Sequence, residues 1–211
     1  MKFSKAGPIL WVLSIQYFIT QVVVGLAYPG SYSVRFNTIS DLGNTVCGAY
    51  RSTVVCSSQH LWMNISFILL GITMIAGSAL IGRAARTSWA STLGFIFMAL
   101  SGVGSMLVGL FPENTVSGLH VFGAGLVFLL GNLALILFGY TLQMPRWLRY
   151  YTVLSGAIGL IALARFLLHG YLGLGIGGME RVTAYPQTIW MIVYGGYILM
   201  SRRLVQSQKL H

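Results

Sequence analysis

Six side chains suited to acid–base or metal chemistry stand out: Asp41, Glu113, Glu180, His60, His120 and His169. They stand out because the 211 residues contain only three acids, and the fourth histidine is His211. Histidine nitrogens with a carboxylate oxygen are a familiar donor set for zinc, with one position left for water when three of them bind. No His-x-x-x-His or His-Glu-x-x-His spacing occurs, so such ligands would have to converge from separate elements. A His–carboxylate pair can also move protons at an ester without metal. Ser40, Ser57, Ser58 and Ser117 are conceivable nucleophiles beside them, although no Gly-x-Ser-x-Gly elbow is present. Haem would need two axial histidines on facing helices, and His60 with His120 or His169 supplies at most one such pair.

The elements that position these groups follow from composition. The chain is 56% hydrophobic and 8% charged, whereas a soluble domain carries about 25% charged residues. This composition disfavours a water-soluble monomer. The net charge of +10 is spread without a basic run or stripe, which gives no footprint for nucleic acid. A bilayer core takes about 20 apolar residues per helix, and six such stretches occur, at 8–28, 61–82, 90–111, 119–142, 151–171 and 185–201. Alternating apolar and polar runs are absent, which disfavours a transmembrane barrel. The first stretch is longer than the apolar region of a signal peptide and reads as a span.

Charge then sets orientation. With the N-terminus inside, Lys2, Lys5, Arg83, Arg86, Arg146, Arg149, Arg202, Arg203 and Lys209 all lie on the cytoplasmic side, nine of the thirteen basic residues. Trp11, Trp89 and Trp147 fall near inner ends and Trp62 and Trp190 near outer ends, as interfacial anchors do. The expected fold is all-α and integral to the membrane, one six-helix domain over 1–211 with both termini cytoplasmic. Residues 29–60 form a long extracytoplasmic loop. It holds Cys47 and Cys56, which the oxidising side of the membrane permits to join as a disulfide.

In this topology Asp41, Glu113 and Glu180 all fall outside, level with His60, His120 and His169. Arg165 and His169 stand at i and i+4 and are expected to share a helix face. An arginine within a span faces the interior with a partner, so Arg165 is expected to pair with Glu180 or Glu113. Ser57-x-x-His60 and Ser117-x-x-His120 repeat at an offset of 60, each His followed eleven residues later by Gly71 or Gly131. The pattern suits a serine N-cap before each span and raises a duplicated hairpin as an alternative to chance. Ser101, Ser105 and Gly109, spaced by four, look like a close-packing seam. The glycine-rich stretch 170–178 lacks the Gly-Lys-Ser/Thr of a phosphate loop and reads as an outer turn or re-entrant edge.

Several segments together resemble the domain of unknown function 998 family. They are Asn37-Thr38-Ile39-Ser40-Asp41-Leu42-Gly43, Phe111-Pro112-Glu113, His120, Arg165, Gly177-Gly178-Met179-Glu180-Arg181 and Tyr185-Pro186. The resemblance implies a six-helix membrane protein of bacteria or archaea, hence a prokaryotic plasma membrane. In layout it is similar to Frag1-like six-helix proteins, some tied to lipid remodelling. It implies no settled activity.

The expected function is an outer polar pocket that binds, and is equipped to modify, a membrane lipid or lipid-linked substrate. Asp41, His60, Glu113, His120, His169 and Glu180 are the candidate acid–base groups or ligands, and Arg165 and Arg181 the candidate anion holders. The alternatives are a non-enzymatic small-molecule or lipid transporter, and a structural subunit packed on a partner membrane protein. A transporter needs a polar path inward, for which Gln16, Thr20 and Asn132 are thin material.

Overall fold

Long apolar stretches become helices in a bilayer because only a helix satisfies every backbone donor within one segment. The computed structural model describes residues 4–50 and 53–207. Lys2, Arg51, Lys209 and His211 lie outside the described residues, as do the side chains of Arg202 and Arg203. The helices are α1 Ala6–Leu13, α2 Gln16–Leu26, α3 His60–Ala85, α4 Trp89–Leu110, α5 Ser117–Thr141, α6 Arg146–Leu167 and α7 Gly175–Ser207. α1 and α2 form one span interrupted at Ser14, where three-residue hydrogen bonds replace the regular ladder. There the Ser14 hydroxyl meets Thr73 Oγ1 at 2.9 Å on α3.

Among the described residues five segments are long and apolar enough to cross a membrane: Ala6–Leu26, α3, α4, α5 and α6. α7, which contains the sixth expected stretch, is not among them. The reason is the number of polar residues it carries. Glu180, Arg181, Thr183, Gln187 and Thr188 are all buried inside the bundle. These residues lower the mean hydropathy of α7 while filling the interior. The lipid-facing character lies instead on the outside of the other helices, with Leu26, Trp89 and Leu168 each more than 70% exposed.

Small residues let the helices close up. A Cβ on Gly71 of α3 would fall on the Gly102 carbonyl of α4, and one on Gly104 of α4 on the Gly123 carbonyl of α5. The expected seam is real but divided between two neighbours. Ser105 donates to the Phe67 carbonyl at 2.7 Å and Gly109 abuts the Asn64 carbonyl, both on α3, while Ser101 faces the Val127 carbonyl of α5. At the end of the bundle away from the 27–59 segment, Trp11, Phe95, Phe138, Trp190 and Tyr194 form a buried aromatic cluster, so Trp11 and Trp190 are core residues and not interfacial anchors, and Trp190 lies away from the outer end expected for it. Phe138 and Trp190 stack at 5.0 Å between centroids, and Trp190 and Tyr194 at 4.8 Å.

The segment between α2 and α3 is folded, not loose. Residues Ser40–Gly43 make a single 3-10 turn. Strands β1 Gly48–Tyr50 and β2 Thr53–Val55 form an antiparallel hairpin with Gly48 opposite Val55. Cys47 and Cys56 flank that hairpin and are joined by a disulfide. The expected serine N-caps are not found. α3 begins at His60 with Ser57 turned away to the Leu42 carbonyl, and α5 begins at Ser117 itself. Holding the 40s segment against α3 is the bond that Ser57 makes in place of capping.

Candidate functional site

The short stretch 37–44 is the floor on which the polar residues meet. Asp41 turns back on its own chain: its Oδ2 accepts from the Thr38 amide at 2.9 Å and from Asn37 Nδ2 at 3.1 Å. The Thr38 hydroxyl in turn accepts from the Asp41 amide. These local bonds explain why Asn-Thr-Ile-Ser-Asp forms a tight turn here, since side chains of this kind substitute for backbone partners. The turn presents the Ile39 amide and the Ser40 hydroxyl toward α7. Glu180 accepts from both, Oε2 from Ile39 N and Oε1 from Ser40 Oγ at 3.3 Å.

On its other side Ser40 Oγ lies 2.9 Å from His120 Nε2. His120 Nδ1 lies 2.9 Å from the Phe111 carbonyl, the C-cap of α4. A carbonyl only accepts, so Nδ1 carries a hydrogen and the ring is held in one orientation. Hydrogen counting along this row allows two fully bonded forms. In one, imidazole Nε2 accepts from Ser40 and a neutral Glu180 carboxyl donates to Ser40. In the other, imidazolium donates to Ser40 and Ser40 donates to the Glu180 carboxylate. Both forms hold the same number of protons, so the row Glu180–Ser40–His120 shares one proton between its ends.

Glu113 joins the same segment through Asn44, whose Nδ2 donates to Oε1 at 3.3 Å. Asp41, Glu113, His120 and Glu180 are each buried, and each is tied to residues 37–44. The other two histidines stand apart. His60 opens α3 with its Nδ1 buried and unbonded. His169 lies beyond the end of α6 in a left-handed turn, φ 55°, exposed and edge-on to Tyr171. It therefore does not share a helical face with Arg165, because the helix has ended at Leu167. Among the described residues no group of three or more His, Cys, Asp and Glu is arranged to hold a metal ion.

The two arginines behave differently. Arg181 is buried, and its Nη1 donates to the carbonyls of Val34, Asn37 and Gly177 at 3.1, 2.9 and 2.9 Å, while Nη2 donates to the Tyr32 hydroxyl. Burial pushes the Tyr32 phenol up from its ordinary value, so it remains a donor to the Thr38 carbonyl at 2.7 Å. Arg181 thereby clamps residues 32–38 onto the start of α7. The glycine run serves the same contact. The Gly177 amide donates to the Arg35 carbonyl, and a Cβ at Gly177 would strike the Asn37 carbonyl. Arg165 is half-buried and bonds the Gly170 carbonyl, closing the turn after α6. The expected pairing with Glu180 or Glu113 is not made. At a helix end a long cationic side chain reaches polar surroundings without a carboxylate.

Beneath Ser40 and Glu180 lies a partly open cavity of about 30 Å³. Its walls are mainly apolar, with Phe67, Leu70, Val127 and Phe128 among them, and its polar lining includes Gln187 and Thr188 about two turns further along α7. The Gln187 Oε1 and Thr188 Oγ1 atoms are buried with no hydrogen-bond partner. Past them the aromatic cluster around Trp190 closes the interior. Sequence reasoning ranked Ser40 as one serine among four. The signal that separates it is its place in a self-bonding Asn-Thr-Ile-Ser-Asp turn.

A family model described as Protein of unknown function (DUF998) matches residues 10–197. No curated protein and no solved structure matches the chain.

Proposed function

The chain belongs to the DUF998 family, and on that footing we propose that it is an integral membrane protein whose buried Glu180–Ser40–His120 row binds and chemically modifies a lipid or lipid-linked substrate. In this reading α7 is the sixth span and both termini face the cytoplasm. The 27–59 segment and its disulfide face the outside of a prokaryotic plasma membrane. Lysines and arginines cluster on the opposite side, as the positive-inside bias requires.

One observation carries the reading. The Ser40 hydroxyl bridges a histidine and a carboxylate and lines a small apolar-walled cavity. A site that moves protons at a substrate needs an acid and a base within hydrogen-bond reach, and a membrane-facing substrate needs apolar walls. The aromatic cluster favours an enzyme over a transporter. A carrier requires a route to the far side, and here the polar lining stops at Gln187 and Thr188 below which stacked rings fill the bundle.

The test is reconstitution of the purified full chain in vesicles of total bacterial lipid extract, followed by mass spectrometry of the lipids. Wild type is expected to convert at least one lipid species, with H120Q and E180Q slowed by about 100-fold or more. Unchanged lipid composition with wild type, together with no lipid retained through purification, overturns the reading.

A further inference from the structure

We propose that Ser40 is a nucleophile and that the bond attacked is a carboxylic ester, opened through an acyl-Ser40 intermediate. This rests on the lipid-acting reading of the same site and adds the substrate class and the covalent step.

The hydroxyls nearby are not equivalent. Ser57 and Ser58 give their protons to the carbonyls of Leu42 and Ala27, which cannot take a proton away. Ser40 meets a ring nitrogen at 2.9 Å instead. That ring is in turn oriented by a third group, the Phe111 carbonyl, at 2.9 Å from its other nitrogen. A nucleophile beside a base that is itself held in place is the general arrangement for covalent catalysis. Ser40 is also half-exposed and lines the cavity together with the buried Glu180, while the buried His120 is not part of that lining.

The step balances within the fully bonded form that has a neutral histidine and a neutral carboxyl. Ser40 Oγ bonds to the ester carbonyl carbon as its proton passes to His120 Nε2. The carbonyl π pair moves onto oxygen, and Glu180, already within reach of Ser40 Oγ, turns its O–H to that developing charge. A carboxylic acid kept neutral by its surroundings is a known donor for such an oxyanion. Collapse breaks the bond to the alcohol, which leaves with the proton from His120 and leaves the acyl group on Ser40. Water, or a second alcohol, then attacks the acyl carbon and gives its proton to His120. Ser40 is released with that proton restored.

The test uses an alkyl fluorophosphonate on the purified full chain in detergent, with the adduct located by peptide mass spectrometry. Label is expected on Ser40, absent in S40A, and slowed by about 100-fold or more in H120Q. S40C provides a check that does not depend on keeping the serine: its alkylation by iodoacetamide is expected to be faster than that of S40C combined with H120Q. Wild type that stays unlabelled at Ser40, or equal alkylation of the two S40C proteins, overturns the proposal. The vesicle experiment separates the two readings. Lipid conversion by S40A equal to wild type removes the nucleophile and keeps the lipid site. Ser40 labelling without any lipid conversion keeps the nucleophile and removes the lipid substrate.

Discussion

Arg181 Nη1 donates to the Asn37 carbonyl at 2.9 Å, across a sequence separation of 144 residues. Through this contact and its partners, the guanidinium of one helix fixes the backbone of the turn that carries Ser40 and Asp41. The site's geometry depends on this clamp, because Ser40 and Glu180 sit on the two elements it joins.

Replacing Arg181 should therefore loosen the fold and the site together. R181L leaves the carbonyls of Val34, Asn37 and Gly177 without that donor, and stability should fall by about 2–4 kcal/mol. R181K should recover part of the loss, since an ammonium donates but lacks the planar fork. Thermal unfolding in detergent checks both, and a wild-type midpoint for R181L would show that the clamp carries no weight.

Two glycine substitutions should have opposite outcomes. A Cβ at Gly71 falls on the Gly102 carbonyl and the Met106 side chain, whereas one at Gly125 meets nothing within 4 Å. G71A should force α3 and α4 apart and cost about 1–3 kcal/mol. G125A should be neutral or gain up to about 1 kcal/mol from helix propensity. Equal effects in unfolding titrations would contradict the packing described for α3 and α4.

The disulfide should matter locally. Without reductant, denatured wild-type protein should take up no thiol reagent at Cys47 or Cys56. The C47S/C56S pair should cost about 2 kcal/mol, because the bond restricts the unfolded segment. The effect should appear as faster hydrogen exchange in 44–58 rather than in α4 or α5. Uniformly faster exchange would mean that the hairpin supports the bundle.

Orientation is open to direct measurement. Ser31 and Arg86 are exposed at opposite ends of the bundle. In C47S/C56S protein on intact cells, S31C should react with a membrane-impermeant maleimide, and R86C only after permeabilisation. The reverse pattern would invert the proposed topology.

The sequence alone determined the solvent. Three acids in 211 residues, and long apolar stretches broken by short polar turns, leave few options but helices in lipid, because transfer of side chains out of water sums residue by residue. It also placed Asp41, Glu113, His120 and Glu180 at one end of the molecule, since depth along a span follows from counting residues, and it brought Cys47 near Cys56. Facing was not legible. The spans are apolar all round, so their periodicity does not fix rotation. Only the tertiary structure turned His120 toward Ser40, left His60 Nδ1 unbonded, and ended α6 before His169. The low hydropathy of α7 was readable from its composition, but that its polar residues Glu180, Arg181, Thr183, Gln187 and Thr188 are buried was decided by the tertiary structure. Arg165 escaped its expected carboxylate because hydropathy records that a charge lies near a span, while only the tertiary structure decides whether its side chain has a carbonyl and polar surroundings within reach.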